Sequence, residues 1–173
     1  MMNKKSVIRA EQINKVFHEP VDFHVLKDIS FEIQRGEFVS IMGKSGCGKS
    51  MTALAILGLL PENAVTTGAI RFDHRNLLVC SEQELCQMRG NRISMVFQEP
   101  MTSLNPVHTI GQQIIEIMIL HQGISKTEAK TEAIRLLDVV GIRDPKSRFS
   151  QYPHQLSGGM RQRVVIAIAL ACG

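Results

Sequence analysis

Apolar and polar residues alternate in the first part of the chain as they do in half-buried β-strands. Between residues 29 and 33, isoleucine or phenylalanine occupies every second position and a polar residue lies between, which predicts a strand with one buried face. A weaker pattern predicts an earlier strand over residues 7–13, and residues 68–72 predict a later one. The largely apolar segments 38–42 and 92–97 predict two further strands, of which the first is short and of the type buried on both faces.

Short helical patterns follow some of these strands. Residues 52–57 predict a helix that ends near Gly58 and Pro61. Ser81, with Glu84 three residues later, has the spacing of a capping box, in which each side chain bonds the backbone N–H of the other residue. This pair predicts the start of a second short helix.

The chain changes character in its second half, where longer helical segments predict a helical subdomain inserted between strands. The segments cover residues 109–121 and 126–140. Ser125 with Glu128 forms the capping box that opens the second helix, and Gly141 closes it.

Composition narrows the class of protein. The 173 residues favour one domain, and a hydrophobic content of 44% is sufficient for a packed core. The net charge of +4 is dispersed among acidic residues, so we do not expect direct binding of nucleic acid. The cysteines have neither C-x-x-C spacing nor histidine partners, which predicts a reducing cytosol and no zinc site or disulfide framework. They are Cys47, Cys80, Cys86 and Cys172.

The sequence does not predict insertion into a membrane. Residues 1–10 are basic but lack the apolar segment of a secretory signal. The apolar run at residues 164–172 is far shorter than the roughly 20 residues that span a bilayer. We therefore expect any association with a membrane to come through a partner protein.

The strongest chemical signal is the glycine-rich segment GKSGCGKS at residues 43–50, here called the phosphate loop because it fits the pattern G-x-x-x-x-G-K-[ST]. Its glycines let backbone N–H groups approach phosphate oxygens, and the helix that follows adds its positive dipole end. Lys49 would reach the β- and γ-phosphates, and the Ser50 hydroxyl would ligate Mg²⁺. A chance glycine-rich turn is the alternative, which the flanking strand and helix disfavour. The predicted contact residues are Gly43, Lys44, Ser45, Gly46, Cys47, Gly48, Lys49, Ser50 and Met51.

A glutamine follows the second of the two largely apolar segments. Gln98 comes directly after residues 92–97. Its amide oxygen would ligate the metal and orient a water molecule, and its place at a strand end would let it move with the segment beyond. Polar residues are common at strand ends, so this assignment depends on the motifs on either side.

A second anion site is predicted by LSGGMRQR, the signature segment of residues 156–163. Ser157 can cap a last helix over residues 159–171, while Gly158 and Gly159 leave the N–H groups of its first turn uncovered for a phosphate. An ordinary helix start is the alternative. The segment also contains Arg161 and Arg163. The alternative to a role for them in this site is an ordinary solvated position on the helix surface.

Taken together, the motifs resemble those of the ATP-binding subunits of bacterial ATP-binding-cassette (ABC) importers, most closely the peptide and nickel uptake group. The resemblance covers the whole chain and is carried by FQEPMTSLNP at residues 97–106 and YPHQLSGGMRQR at residues 152–163. It implies an α/β P-loop NTPase fold with an antiparallel β subdomain, part of a parallel core sheet and an inserted helical subdomain. Within one domain, residues 1–100 would form the β subdomain and phosphate-loop core, residues 101–157 the helical subdomain and residues 158–173 the signature helix.

The resemblance also implies partners and cofactors. ATP with Mg²⁺ would be held between two such subunits, each phosphate loop facing the Ser-Gly-Gly of the other. The segment after Gln98 and its helices would bind membrane permease subunits at the cytoplasmic face of the membrane, with a solute-binding protein acting indirectly. Phe17 is the first candidate to stack on adenine and Phe23 the second, with core filling as the alternative. His154 precedes the signature segment and is expected to be structural, because the family's switch histidine comes later.

A complete member of this family would next supply an apolar strand ending in Asp-Glu and then the switch histidine, none of which precedes Gly173. We therefore expect a truncated subunit, and its own ATP hydrolysis stays open. Two functions remain: an ATPase subunit that energises a peptide-type importer, or a non-catalytic ATP-binding remnant. A DNA-repair ABC ATPase is disfavoured by the segment after Gln98, and the signature segment excludes a small P-loop kinase. The transported solute is not predicted.

Overall fold

The computed structural model describes residues 6–18, 22–61, 64–97 and 103–171. The chain divides into two compact units, Met1–Leu85 and Cys86–Gly173. The subdomain boundaries at residues 100 and 157, which the family resemblance implies, stay a prediction. The signature helix packs in the same unit as the other long helices, with which it shares one core.

The first unit is built on an antiparallel sheet of four strands in the order β2-β1-β3-β4. Its elements are β1 (Ser6–Phe17), β2 (Phe23–Gln34), α1 (Lys49–Leu57), β3 (Ala64–Phe72), β4 (Arg75–Asn76) and a 3-10 turn at Leu77–Val79. The central strand β1 pairs with both β2 and β3. The three strands predicted at residues 7–13, 29–33 and 68–72 are confirmed, and each is longer than its pattern suggested.

An irregular position in β1 is matched by a glycine on its neighbour. Gln12 has φ 50°, and the pairing of β1 with β3 shifts register between Glu11 and Asn14. A Cβ on Gly68 would lie 2.5 Å from the carbonyl oxygens of both Glu11 and Gln12. Only glycine permits this approach, so it marks where β3 passes the bulge.

Two predicted strands are wrong. Residues 38–42 and 94–97 are not paired in any sheet within the described part of the chain, and Ile93 makes only an isolated bridge with Arg89. Phe38 and Met42 are 96% and 88% exposed, although burial on both faces was expected. An apolar run indicates which side chains favour burial, but a strand forms only where neighbouring backbone supplies hydrogen-bond partners. The described residues supply no such partners here.

The second unit is helical. Its elements are α2 (Glu82–Met88), which begins in the first unit, α3 (Ile110–Gln122), α4 (Lys126–Val139), α5 (Pro145–Phe149), a 3-10 turn at Pro153–Gln155 and α6 (Gly158–Leu170). The predicted capping boxes are confirmed: the backbone N–H of Ser125 lies 3.0 Å from a carboxylate oxygen of Glu128, and that of Ser81 lies 2.9 Å from Glu84. The predicted end of α1 at Gly58, with φ 64°, is also confirmed.

One hydrophobic core joins α3, α4 and α6. Ile110, Ile114 and Met118 lie four residues apart on α3 and are fully buried, as the helical period requires. The facing positions are small or aliphatic, which lets the helices approach closely: Ala129, Ala133, Leu137, Val164 and Ala167. None of the helices in the described residues combines the length and apolar character needed to cross a bilayer.

Candidate functional site

The phosphate loop lies directly before α1 and turns on its glycines. Gly46 and Gly48 have φ of 81° and 90°, a left-handed conformation that residues with a Cβ rarely adopt. Gly48 is the N-cap of α1, and Thr52 donates to its carbonyl oxygen from the backbone N at 2.9 Å and from Oγ1 at 3.0 Å. The chain therefore passes from loop to helix within a single tight turn.

The ammonium group of Lys49 is held against the backbone of the loop. Its Nζ donates to the carbonyl oxygens of Gly43 and Lys44, both at 2.8 Å, and lies 3.6 Å from Sγ of Cys47. An ammonium offers three donors and no acceptor, so these contacts fix its charge beside the loop rather than in bulk solvent. The geometry brings the predicted cation and the glycine-rich backbone together.

Close approaches explain two of the glycines. A Cβ on Gly48 would lie 2.8 Å from Cδ2 of Leu26 and 3.4 Å from the carbonyl oxygen of Val25, so the start of α1 packs directly on β2. A Cβ on Gly43 would lie 2.6 Å from Sγ of Cys47. Met51 is half-buried. The other predicted contact residues that are exposed are Lys44, Ser45, Gly46, Cys47 and Ser50.

Phe17 lies at the end of β1 nearest to this packing contact. It is half-buried and stands opposite Phe23 of β2, which is 66% exposed. Leu26, which the start of α1 contacts, is the β2 partner of Lys15, two residues before Phe17. Both aromatic candidates are therefore at the end of the sheet on which the phosphate loop packs.

The signature segment forms the first turns of α6. Oγ of Ser157 accepts a hydrogen bond from the backbone N of Met160 at 3.4 Å, so the predicted cap is confirmed. Gly158 and Gly159 are exposed, and a Cβ on either would meet no atom within 4 Å. The N-terminal face of α6 is thus open to an approaching group.

A positively charged cavity of about 390 Å³ borders this turn. Ser157, Gly159 and three arginines are among the residues that line it. Nε of Arg148 is buried and has no hydrogen-bond partner in the part of the chain that the structure describes, although its NH1 donates to Gln151 at 2.9 Å. Arg143 follows α4 and Arg148 lies on α5, and no sequence motif marks either of them. The three arginines are Arg143, Arg148 and Arg163.

The arginines of the signature segment bind backbone carbonyls. Nε of Arg161 donates to the carbonyl oxygens of Pro153 at 2.7 Å and Leu156 at 3.1 Å, and NH1 of Arg163 donates to that of Gly141 at 2.6 Å. A freely solvated position is therefore wrong for Arg161, which is half-buried and bonded to two carbonyls, whereas Arg163 is exposed and is bonded to one. Arg161 ties the turn before α6 to the helix itself.

Three other residues singled out from the sequence are Gln98, Cys172 and His154. Gln98 and Cys172 lie outside the described residues. The His154 ring stacks on Tyr152 with centroids 5.7 Å apart, and its structural role stays a prediction. No cluster of three or more metal-binding side chains occurs among residues 6–18, 22–61, 64–97 and 103–171.

Comparison with known proteins gives a consistent result. The family model described as ABC transporter matches residues 26–173. Oligopeptide transport ATP-binding protein AppD of Bacillus subtilis is 49% identical over 146 residues, which are 83% of this chain and 44% of that protein. Oligopeptide transport ATP-binding protein OppD of Escherichia coli is 43% identical over 168 residues, 96% of this chain and 50% of that protein. The chain thus spans about half the length of these relatives.

A solved structure agrees in fold. It is the dimeric post-hydrolysis state of the ATP-binding cassette MJ0796 bound to ADP and Pi, with a TM-score of 0.82 and 28% identity over 95% of this chain and 69% of that one. The fold is therefore that of an ABC cassette, a P-loop NTPase with an antiparallel sheet and helices, of which the chain covers a part. By its motifs, its fold and the match over residues 26–173, the chain belongs to the ABC transporter family.

Proposed function

We propose that this chain is the ATP-binding subunit of a membrane importer, in which ATP binding and hydrolysis are coupled to the uptake of peptides. The observation that carries the proposal is the Lys49 ammonium, 2.8 Å from the carbonyl oxygens of Gly43 and Lys44 within the glycine-rich loop. A cation beside the backbone N–H groups of a glycine-rich loop at a helix start favours an anion with several oxygens, such as a triphosphate. The peptide class is supported by the names of the similar transport proteins.

Within this site each group has a distinct task. Lys49 supplies charge-assisted hydrogen bonds to the β- and γ-phosphates, and the N–H groups of residues 46–50 supply neutral ones. Ser50 is exposed in the first turn of α1, and its hydroxyl is the type of oxygen that ligates Mg²⁺. We assign Mg²⁺ to Ser50 and, from the sequence, to Gln98. The metal would neutralise charge on the phosphate oxygens when bound.

The base of the nucleotide would stack on Phe17. This ring is half-buried at the end of β1, so one part is fixed by the sheet and another part is accessible. Phe23, its partner on β2, is more exposed and is the second candidate. Stacking on a ring held by a strand costs little conformational entropy, because the ring is already ordered.

The signature segment would bind the γ-phosphate of a nucleotide held by a second ATP-binding subunit. Ser157, Gly158 and Gly159 are exposed, and the N-terminal dipole of the 13-residue helix α6 favours negative charge there. Arg143 and Arg148 in the adjoining cavity add positive potential. The similarity to a cassette solved as a dimer supports this arrangement.

The helical unit would bind the permease. Several of its large apolar side chains are exposed, among them Leu120 at 72% and Val107 at 72%. Val139 and Ile119, at 59% and 41%, are further examples. A membrane-embedded partner would cover such side chains and hold the subunit at the cytoplasmic face of the membrane, with a solute-binding protein acting through that partner.

Two lysines of the same loop provide a matched test. Lys49→Ala should weaken ATP binding by about 10-fold or more, since it removes charge-assisted hydrogen bonds, and should abolish ATP-driven peptide uptake by the assembled transporter. Lys44→Ala should leave both nearly unchanged, because the contact of Lys44 is made by its backbone carbonyl. Equal effects of the two substitutions on ATP titration would contradict the proposal.

A further inference from the structure

A lysine is completely buried in the central strand of the sheet. Lys15 is 1% exposed and lies between Leu26 of β2 and Thr66 of β3. Lysine is among the residues least often fully buried, because its ammonium loses hydration. The same loss of hydration lowers the pKa of Lys15 below its usual value. A purely structural position would be filled more favourably by an apolar side chain.

The ammonium of Lys15 has a defined position. Its Nζ donates to Oγ1 of Thr66 at 3.0 Å and lies 5.6 Å from the centre of the Phe17 ring. Lys15 and Phe17 are two residues apart on a strand, so their side chains share one face of the sheet. The distance from ammonium to ring is within the range of a cation–π contact.

This face of the sheet is also where the phosphate loop packs. Leu26, the cross-strand partner of Lys15, is the residue that a Cβ on Gly48 would meet at 2.8 Å. Residues directly opposite each other on neighbouring strands project to the same face. Lys15 therefore lies beside the contact that joins β2 to the start of α1, and beside the ring proposed to receive the base.

We propose that Lys15 is a positioning residue for the nucleobase: its ammonium, anchored on Thr66, holds the Phe17 ring in the plane on which the base stacks. This inference rests on the proposed nucleotide binding and adds a residue that neither the phosphate-loop motif nor the signature motif contains. A ring fixed before binding loses less freedom when the base arrives, so the buried cation increases affinity for the base and not for the phosphates. The desolvated ammonium makes the contact stronger than a surface pair would be.

A lysine-to-methionine substitution separates this role from a structural one. Lys15→Met keeps a long unbranched side chain and removes the charge, so the free-energy cost of burying a desolvated ammonium is removed with it. We expect the purified full chain to keep its melting temperature and to lose ATP affinity about three- to tenfold. Affinity for inorganic tripolyphosphate, which has no base, should stay within twofold of the unsubstituted chain.

A double-mutant cycle with Phe17 tests the coupling. Phe17→Leu should weaken ATP binding, and adding Lys15→Met to that variant should produce no further loss, because the ring through which Lys15 acts is gone. Additive losses would overturn the inference. A Lys15→Met loss that is equal for ATP and tripolyphosphate would also overturn it, since a general distortion of the site does not depend on the base.

The remaining outcomes distinguish this inference from the proposed function. If Phe17→Leu weakens ATP binding and Lys15→Met does not, the role of Lys15 is refuted and the nucleotide site stands. If neither changes ATP affinity while Lys49→Ala does, the base lies elsewhere and the inference fails with it. If Lys15→Met does not fold, Thr66→Val decides: it should lower ATP affinity about two- to threefold with tripolyphosphate unchanged, and an unchanged ATP affinity refutes the inference.

Discussion

Nε of Arg161, the fourth residue of α6, donates to the carbonyl oxygen of Pro153 at 2.7 Å and so ties the turn before the helix to the helix itself. The same nitrogen lies 3.1 Å from the carbonyl oxygen of Leu156, the residue directly before the cap. Ser157 therefore lies between the turn and the helix that this guanidinium joins. The orientation of the signature segment therefore depends in part on the guanidinium of Arg161.

Removing that guanidinium should loosen the segment. Arg161→Met keeps the aliphatic stem and leaves the carbonyls of Pro153 and Leu156 without their charged donor, so the free energy of unfolding should fall by about 1–3 kcal/mol. Gln162→Met, at the exposed neighbouring position, should change it by less than about 0.5 kcal/mol. Chemical denaturation of both variants checks this, and equal stabilities would show that the carbonyl bonds contribute nothing.

A change of charge at the cap should block pairing of two subunits without damaging the helix. Ser157→Asp retains a good N-cap but places a carboxylate where a γ-phosphate is proposed to bind. ATP titration of the separate chain should be unaffected, while ATP-dependent dimers should be lost on sizing chromatography. Ser157→Asn, an equally good cap without charge, should retain more of the dimer. A dimer of undiminished stability in the aspartate variant would argue against the proposed role of Ser157.

The two left-handed glycines of the phosphate loop should differ in their tolerance of alanine. Gly46 has open space around its Cα, so Gly46→Ala adds only backbone strain, about 1–2 kcal/mol. Gly48→Ala adds the same strain and also pushes a Cβ against Leu26 and the Val25 carbonyl. Thermal unfolding should therefore rank Gly48→Ala as clearly less stable, and ATP affinity should follow the same order. The reverse order would mean that α1 does not pack on β2 as described.

The capping box of α4 should give the helical unit a stability that depends on pH. Hydrogen bonds from the Ser125 hydroxyl and then from its backbone N–H lower the pKa of Glu128. A carboxyl group whose pKa is lower in the folded state stabilises the fold above its unfolded value of about 4.3, and this contribution disappears as the pH falls through the lower folded value. Glu128→Gln should thus be less stable than the unsubstituted chain at pH 7.

The difference in free energy of unfolding between Glu128→Gln and the unsubstituted chain should shrink as the pH is lowered from about 5. It should vanish where Glu128 is protonated in both the folded and the unfolded state. Denaturation midpoints measured from pH 7 to pH 3 give the curve. If the difference in stability stays constant across this range, Glu128→Gln breaks the hydrogen bonds of the capping box for steric reasons, and the charge of Glu128 plays no part.

Local chemistry made much of this fold predictable from sequence. Ser125 and Glu128 satisfy each other within one helical turn, and Gly58 can adopt the left-handed angle that ends α1, so neither depends on distant residues. Phe38 and Met42 show the opposite case. Their apolar character predicted a buried strand, but pairing depends on backbone elsewhere in the protein, which a local pattern does not contain.

The residues of the candidate site also differ in how far the sequence predicts them. The spacing of Gly43 and Lys49 specifies a phosphate loop, because the chemistry requires those residue types at that interval. Lys15 and Arg148 carry no such signal. A lysine in an amphipathic strand is expected to face solvent, and only the three-dimensional pairing of β1 shows that its ammonium is buried beside Phe17.

The pairing of β1 with β3 has a consequence for the synthesis of the protein. Ile8 is the partner of Phe72, and Phe17 is the partner of Ala64, so the phosphate loop and α1 lie in the stretch of chain that this pairing encloses. The β1–β2 hairpin can form as soon as both strands have left the ribosome, but its free edge must wait until β3 has been made. The backbone of the phosphate loop thus emerges before the sheet is complete, and the edge of β1 that later pairs with β3 is open to other chains during that interval.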